Sequence, residues 1–160
     1  MILRIIRHMR IEKISDKDSI PDSLLLLADE TTDAVNKYIH DSDIFIAKEN
    51  TGDEPIAVYV LQQVNEVTVE IKNIAVSETF QNRGIGRLLI NSIIAQAKEG
   101  GYREVIVGTA GTVARQLRFY EKNGFKVFGI KKDFFINNYP QPIYEHGIQL
   151  RDMTMLRREI

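Results

Sequence analysis

The sequence predicts an α/β or α+β domain built on a mixed sheet, and its patterning carries that prediction. Runs of alternating polarity rich in β-branched and aromatic residues recur at 2–14, 43–49, 55–64 and 67–76. Beyond Gly84 the period changes, and apolar residues fall at three- and four-residue spacing. Strand-like and helical runs then alternate to the end. The resulting order is βα, three meandering strands, then α-β-α-β-β.

Residues 2–14 read as the first strand. Arg4 and Arg7 interrupt the apolar part of MILRIIRHMR, so it lacks the continuous core of a signal peptide. Pro21-Asp22-Ser23 opens a helical stretch in which Leu24, Leu27, Ala28, Thr31, Val35 and Tyr38 share one face. SLLLLA at 23–28 is far shorter than the roughly 20 apolar residues a bilayer requires. DIFIAKE at 43–49 and PIAVYVLQQV at 55–64 form a hairpin around the turn cluster Asn50-Thr51-Gly52-Asp53. Asn65-Glu66 leads into VTVEIKNIAV at 67–76.

From Gly84, Ile85, Leu88, Leu89, Ile93, Ala95 and Ala97 mark a helix that stops at Gly100-Gly101. REVIVGT at 103–109 lacks polar alternation, as expected of a strand covered on both faces. A second helix covers about 112–123 and ends at Asn123-Gly124. KVFGIKKDFF and LRDMTMLRRE supply the last two strands.

With 160 residues and no linker or repeat, the chain reads as a single domain, 1–160. Apolar residues make up 44% and charged residues 27%, which is a globular balance. A net charge of −1 supplies no basic stripe for nucleic acid. The absence of cysteine removes disulfides, thiolate metal sites and cysteine nucleophiles, and suits a reducing, cytoplasmic setting. His8, His40 and His146 stand far apart without carboxylate-rich spacing, so no metal site is expected.

The informative stretch is QNRGIG, Gln81 to Gly86, between a strand and a helix. It is either a tight turn or an anion cradle. A cradle would use the unpaired N–H groups and positive dipole end of the helix, with Gly84 and Gly86 leaving them open. Arg83 and Arg87 would add cations. Leu89 stands where a dinucleotide fingerprint needs its third glycine, and Arg87-Leu88 replaces the Lys-Ser/Thr of a P-loop. Neither NAD nor ATP is favoured.

The flanking residues extend the pattern. IAVSETFQNRGIGRLLI, followed downstream by FYEKNGFKV, resembles the GCN5-related N-acetyltransferase superfamily. Its matching elements are Ala75-Val76, then Gln81-x-x-Gly84-x-Gly86, then Tyr120-x-Lys122-x-Gly124-Phe125. The resemblance covers residues 43–130 well and the N-terminal helices loosely. It implies a twisted mixed sheet of about seven strands with about four helices, splayed between its fourth and fifth strands. It further implies acetyl-coenzyme A as co-substrate, its pantetheine arm on strand backbone at Ile74, Ala75 and Val76. The pyrophosphate would rest on the loop of Gln81, Arg83, Gly84, Ile85, Gly86 and Arg87.

Transfer of acetyl to an amine requires a deprotonated nitrogen, a polarised carbonyl and a proton for the leaving thiolate. The resemblance places a general base at Glu70, acting through water, and a general acid at Tyr120. A phenol with an ordinary pKa of about 10 can supply that proton at neutral pH. Glu70 shares its strand parity with Thr68 and Lys72, so a solvated sheet face is its other reading. Packing against the sheet, as for Phe119, is the other reading of Tyr120.

Two positions depart from the superfamily pattern. Val113 replaces an asparagine that holds the cofactor's arm in many relatives, and Gln116 replaces an alanine. Thr109 and Thr112 offer substitute hydroxyls. For the acceptor, the resemblance points to the helices after the first strand and to a long loop, Asp133 to Met153. There Phe134, Phe135, Tyr139 and Tyr144 stand with Asp133, Glu145 and Asp152, a composition suited to a cationic amine of a small molecule or peptide. A dimer-forming segment is the other reading of this loop. The function expected is N-acetyl transfer, without nucleic acid or membrane partners. A non-catalytic coenzyme A sensor is the alternative, but a pure binder needs neither Glu70 nor Tyr120.

Overall fold

Alternating side chains along residues 43–49 and 55–63 build a hairpin, in a computed structural model that describes residues 8–49, 52, 54–110 and 114–160. Along the chain the strands are β1 (Met9–Lys13), β2 (Asp43–Glu49), β3 (Pro55–Gln63), β4 (Thr68–Val76), β5 (Glu104–Thr109), β6 (Lys126–Lys131), β7 (Tyr144–Glu145), β8 (Ile148–Gln149) and β9 (Met153–Glu159). The helices are α1 (Asp22–Ala28), α2 (Thr32–Asn36), α3 (Ile85–Glu99), α4 (Ala114–Lys122) and α5 (Phe134–Asn138). A seven-stranded sheet runs β1-β2-β3-β4-β5-β9-β6, antiparallel except for the parallel neighbours β4 and β5. Two compact units make up the chain: Met1–Gln63 with Ile71–Ala95, and Val64–Glu70 with Gln96–Ile160. β4 and α3 each contribute residues to both.

In the first unit, β2 pairs with β1 and β3, placing Ile44 opposite Val60 and Phe45 opposite Tyr59. One face carries Ile44, Ile46, Val58 and Val60, which form a buried cluster with Leu24, Leu25 and Val35 of the short helices. On the other face Phe45 stacks on Tyr59 at 4.8 Å. The Tyr59 hydroxyl meets Ser92 Oγ of α3 at 2.9 Å. Ile56 to Leu61 are all buried, so the near-continuous apolar run of β3 reflects cover on both sides.

The helical stretch expected from Pro21 to Tyr38 is two helices, because the chain extends at Asp29 (φ −125°, ψ 151°) and Thr31 caps a new start. Thr31 Oγ1 accepts the Ala34 N–H at 3.1 Å. The break changes the buried face: Leu25 is fully buried while Leu27 is 45% exposed. Four consecutive leucines fit either face, and the cap decides between them. Residues 2–7 of the expected first strand, and Asn50, Thr51 and Asp53 of the turn, lie outside the described residues; the described part of that strand ends at Lys13.

In the second unit, Asn65 Oδ1 accepts the N–H groups of Val67 and Thr68, both at 2.9 Å, and so starts β4. Val105, Val107 and Thr109 of β5 are buried while Glu104, Ile106 and Gly108 are half-buried, so this strand is fully covered on one face and partly on the other. Gly101 (φ 81°) and Gly124 (φ 86°) supply the left-handed turns that end α3 and α4. The segment expected as a long loop after Asp133 is folded as α5 and a β7–β8 hairpin. It closes on itself through Phe135 N–H to Arg151 O at 2.9 Å and Asp133 N–H to Asp152 Oδ1 at 2.8 Å. Among the described residues no helix is long and apolar enough to cross a membrane.

Replacing the α2 cap, Thr31→Ala, is expected to cost about 1 kcal/mol. The check is the urea midpoint at unchanged m-value.

Candidate active site

The loop ahead of α3 is shaped by residues that tolerate a left-handed backbone. Asn82 has φ 60° and Gly84 has φ 79°. Gln81 Nε2 donates to the Val76 carbonyl at 3.0 Å, tying the loop back to the end of β4. The Arg83 guanidinium lies 5.3 Å from the Phe80 ring centroid. Ile85 is buried, whereas Gly84 and Arg87 are exposed and Arg83 and Gly86 half-buried. Leu88 N–H reaches Gly84 O at 3.3 Å, and the N–H groups before it have no partner within the helix. With the dipole of a 15-residue helix behind them, these groups make an electropositive helix start, the kind of setting that suits an anion.

β4 presents two rows. Ile71, Asn73 and Ala75 are buried, while Glu70, Lys72, Ile74 and Val76 are half-buried. The Lys72 ammonium lies 5.6 Å from the Tyr38 ring centroid. Glu70 therefore sits in a partly covered row, with Lys72 two positions along.

Tyr120 belongs to the same unit as Glu70. It is the one buried residue of α4, 7% exposed. Its ring meets Phe119 at 5.2 Å and Phe125 at 5.7 Å, both edge-on. Burial pushes the phenol well above its ordinary value, so it stays protonated at neutral pH. Its hydroxyl makes no hydrogen bond among the described residues, which leaves the proton available.

The two departures are partly resolved. Thr109 Oγ1 donates to Gln116 Oε1 at 2.7 Å, so its hydroxyl already serves the residue that replaces the alanine. Thr112 and Val113 lie outside the described residues. The aromatic segment is also engaged within itself. Phe135 is buried and stacks with Tyr139 at 5.8 Å, Lys131 lies 5.8 Å from the Phe134 centroid, and Arg151 pairs with Asp133 at 3.2 Å. Tyr144, 62% exposed, is its most open aromatic ring. Sequence periodicity gave no warning of Asn73; the available signal was an amide on the inward row between Ile71 and Ala75.

The profile of the acetyltransferase (GNAT) family matches residues 10–125. The chain belongs to the GNAT family. It is 39% identical over 150 residues to the N-acetyltransferase YvbK of Bacillus subtilis (strain 168), covering 94% of this chain and 96% of that one. A crystal structure of a GNAT family acetyltransferase from Elizabethkingia anophelis with acetyl-CoA bound superposes with a TM-score of 0.90 at 40% identity, covering 96% and 99%. A Bacillus subtilis acetyltransferase in complex with CoA superposes with a TM-score of 0.85 at 38% identity, covering 95% and 99%. As a GNAT member the chain is an N-acetyltransferase that uses acetyl-CoA. Among the described residues no group of histidine, aspartate and glutamate is arranged to hold a metal.

The buried phenol gives a pH prediction. Unfolding returns Tyr120 to an ordinary pKa of about 10, so above that pH the unfolded chain loses a proton the native state keeps. Stability linked to Tyr120 is present below about pH 10 and is lost as pH rises further. In Tyr120→Phe the alkaline decline of unfolding free energy should be shallower, by up to about 1.4 kcal/mol per pH unit. Urea titrations across that range test it, and identical slopes would refute the assignment.

Proposed function

We propose that this GNAT enzyme acetylates a primary amine of a small molecule or peptide by direct attack on acetyl-CoA, with Tyr120 as general acid and Glu70 as general base through a water molecule. The observation that carries this reading is Tyr120, a buried residue whose phenol is held protonated and whose hydroxyl has no hydrogen-bond partner among the described residues. A departing thiolate develops a negative charge during reaction, and a protonated phenol can donate to it. The backbone of Ile74, Ala75 and Val76 would hold the pantetheine arm. The N–H groups of the Arg83-to-Arg87 loop would hold the pyrophosphate, with Gln81 keeping the loop in place. Acetyl-CoA supplies the acyl group as an activated thioester; the protein's part is to orient it and move two protons.

Glu70 is the base in this proposal because an alkylamine is almost wholly protonated at neutral pH. Its row is only half-buried, so the carboxylate is not shut off from solvent. Thiol release from acetyl-CoA across a panel of amines tests the activity. Tyr120→Phe should lower kcat by about 100-fold or more with acetyl-CoA affinity unchanged. Glu70→Gln should be most impaired at neutral pH and recover as pH approaches the amine's own pKa, where the base is no longer needed. Full turnover by Tyr120→Phe on every accepted amine would sink the acid assignment.

Gly84→Val tests the cradle separately. A β-branched residue at φ 79° is strained, and its side chain would stand beside the open N–H groups. Calorimetric titration with CoA should show binding lost in this variant while the fold persists.

A further inference from the structure

The inward row of β4 contains one amide among aliphatic neighbours. Asn73 is 4% exposed, and both hydrogens of its Nδ2 are committed. One goes to the Leu25 carbonyl in α1 at 2.9 Å, the other to the Tyr38 hydroxyl at 3.1 Å. Tyr38 donates onward to Asp29 Oδ2 at 3.1 Å. Asp29 closes the circuit, since its own N–H reaches the same Leu25 carbonyl at 3.1 Å. A ring of hydrogen bonds thus joins β4 to the end of α1 and to the residue that follows α2 by two positions. Burial pushes the Tyr38 phenol well above its ordinary value, so the ring keeps this proton arrangement through the neutral range.

The ring is not what stability alone would select. Asn73 Oδ1 is buried with no hydrogen-bond partner, so the amide carries an uncompensated desolvation penalty. Leucine has the same branched arrangement of heavy atoms with larger methyl ends, would suit a cluster containing Leu24, Leu25, Val35 and Ala75, and would remove that penalty. What leucine cannot supply is direction. Two N–H bonds to acceptors on different elements fix the strand's height and its rotation about its own axis. The residues whose backbone is thereby oriented are the next along the chain, Ile74 to Val76.

We propose that Asn73 is a positioning residue for acetyl transfer: its two amide hydrogen bonds hold the Ile74–Val76 backbone in the orientation that receives the arm of acetyl-CoA. This rests on the reading above that Ile74–Val76 carry that arm. Tyr38 and Asp29 complete the ring and share the role. None of them touches the reacting atoms.

The test compares wild type with Asn73→Leu and Tyr38→Phe. Thermal unfolding, KM for acetyl-CoA, and the amide NMR shifts of Ile74 and Val76 on adding CoA are measured for each. Asn73→Leu should unfold at the same temperature as wild type or higher, yet show a rise in KM for acetyl-CoA of about tenfold. Its Ile74 and Val76 shifts should move less on CoA addition. Tyr38→Phe, which removes one of the two Asn73 amide bonds together with the Tyr38–Asp29 bond and leaves Asn73 in place, should give a smaller rise. A stable Asn73→Leu with wild-type KM and wild-type shifts overturns the proposal. A rise in KM that only follows loss of stability also overturns it, since that is a purely structural role. Should Asn73→Leu not fold, Tyr38→Phe decides: raised KM at unchanged unfolding temperature supports the proposal, and unchanged KM overturns it. Absence of any Ile74 or Val76 shift in wild type would instead refute the placement of the arm, so the two failures are told apart.

Discussion

The burial of α3 against the β2–β3 hairpin is the interaction on which the rest depends. Leu89, Ile90 and Ile93 are fully buried and Ile85 nearly so. Each large aliphatic side chain removed from water contributes about 1.5–3 kcal/mol. The Tyr59–Ser92 hydrogen bond adds a polar pin at mid-helix. With its length held in this way, the helix can leave its first turn open without fraying. Ile85 is the inward residue of Arg-Gly-Ile-Gly-Arg, and the residues on either side of it stay at the surface. The sequence of the loop is therefore one apolar foothold between exposed amides and cations. Such a helix start suits a negatively charged group.

β4 has to satisfy two demands at once. Its inward row must fill a core, and in the function proposed above its backbone must also receive the arm of acetyl-CoA. Ile71 and Ala75 meet the first demand by size alone. Asn73 meets the second at some cost to the first, because an amide in an apolar cluster is favourable only when all its bonds are made. The half-buried row carries the ionisable residues, Glu70 and Lys72. A strand buried on both faces could not have carried them.

Much of this was legible in the sequence because it depended on local period and local backbone chemistry. The strand runs at 43–49 and 55–63, the left-handed stops at Gly101 and Gly124, and the start of α3 after Gly84 follow from alternation, helical spacing and glycine. The N-terminal helices were less legible because four successive leucines fit two faces, and only the Thr31 cap selects one. The fold of residues 133–152 was hidden for another reason. Its order comes from contacts between residues far apart in sequence, such as Phe135 N–H with Arg151 O and Asp133 N–H with Asp152 Oδ1, which no local period encodes. The glycine loop and Tyr120 were identified through spacing between separated motifs. The ring through Asn73 was not, since it joins residues 48 and 35 positions apart.

The spacing Tyr-x-Lys-x-Gly-Phe has a physical reading of its own. α4 is polar along most of its length: Arg115, Gln116, Arg118, Glu121 and Lys122 are exposed, and Leu117 and Phe119 are only half-buried. Such a helix has little reason to dock except for Tyr120. Gly124, at φ 86°, turns the chain back so that the Phe125 N–H bonds the Tyr120 carbonyl at 3.0 Å and the Phe125 ring lies edge-on to the Tyr120 ring. Arg158 secures the same turn by donating to the Asn123 carbonyl at 2.8 Å. A side chain at position 124 would meet Arg158 Nε at 3.3 Å as well as the strain of the left-handed backbone. The motif is thus a clamp that seats one phenol in an apolar setting. That setting keeps the phenol protonated at neutral pH, the form that the proposed role as acid uses.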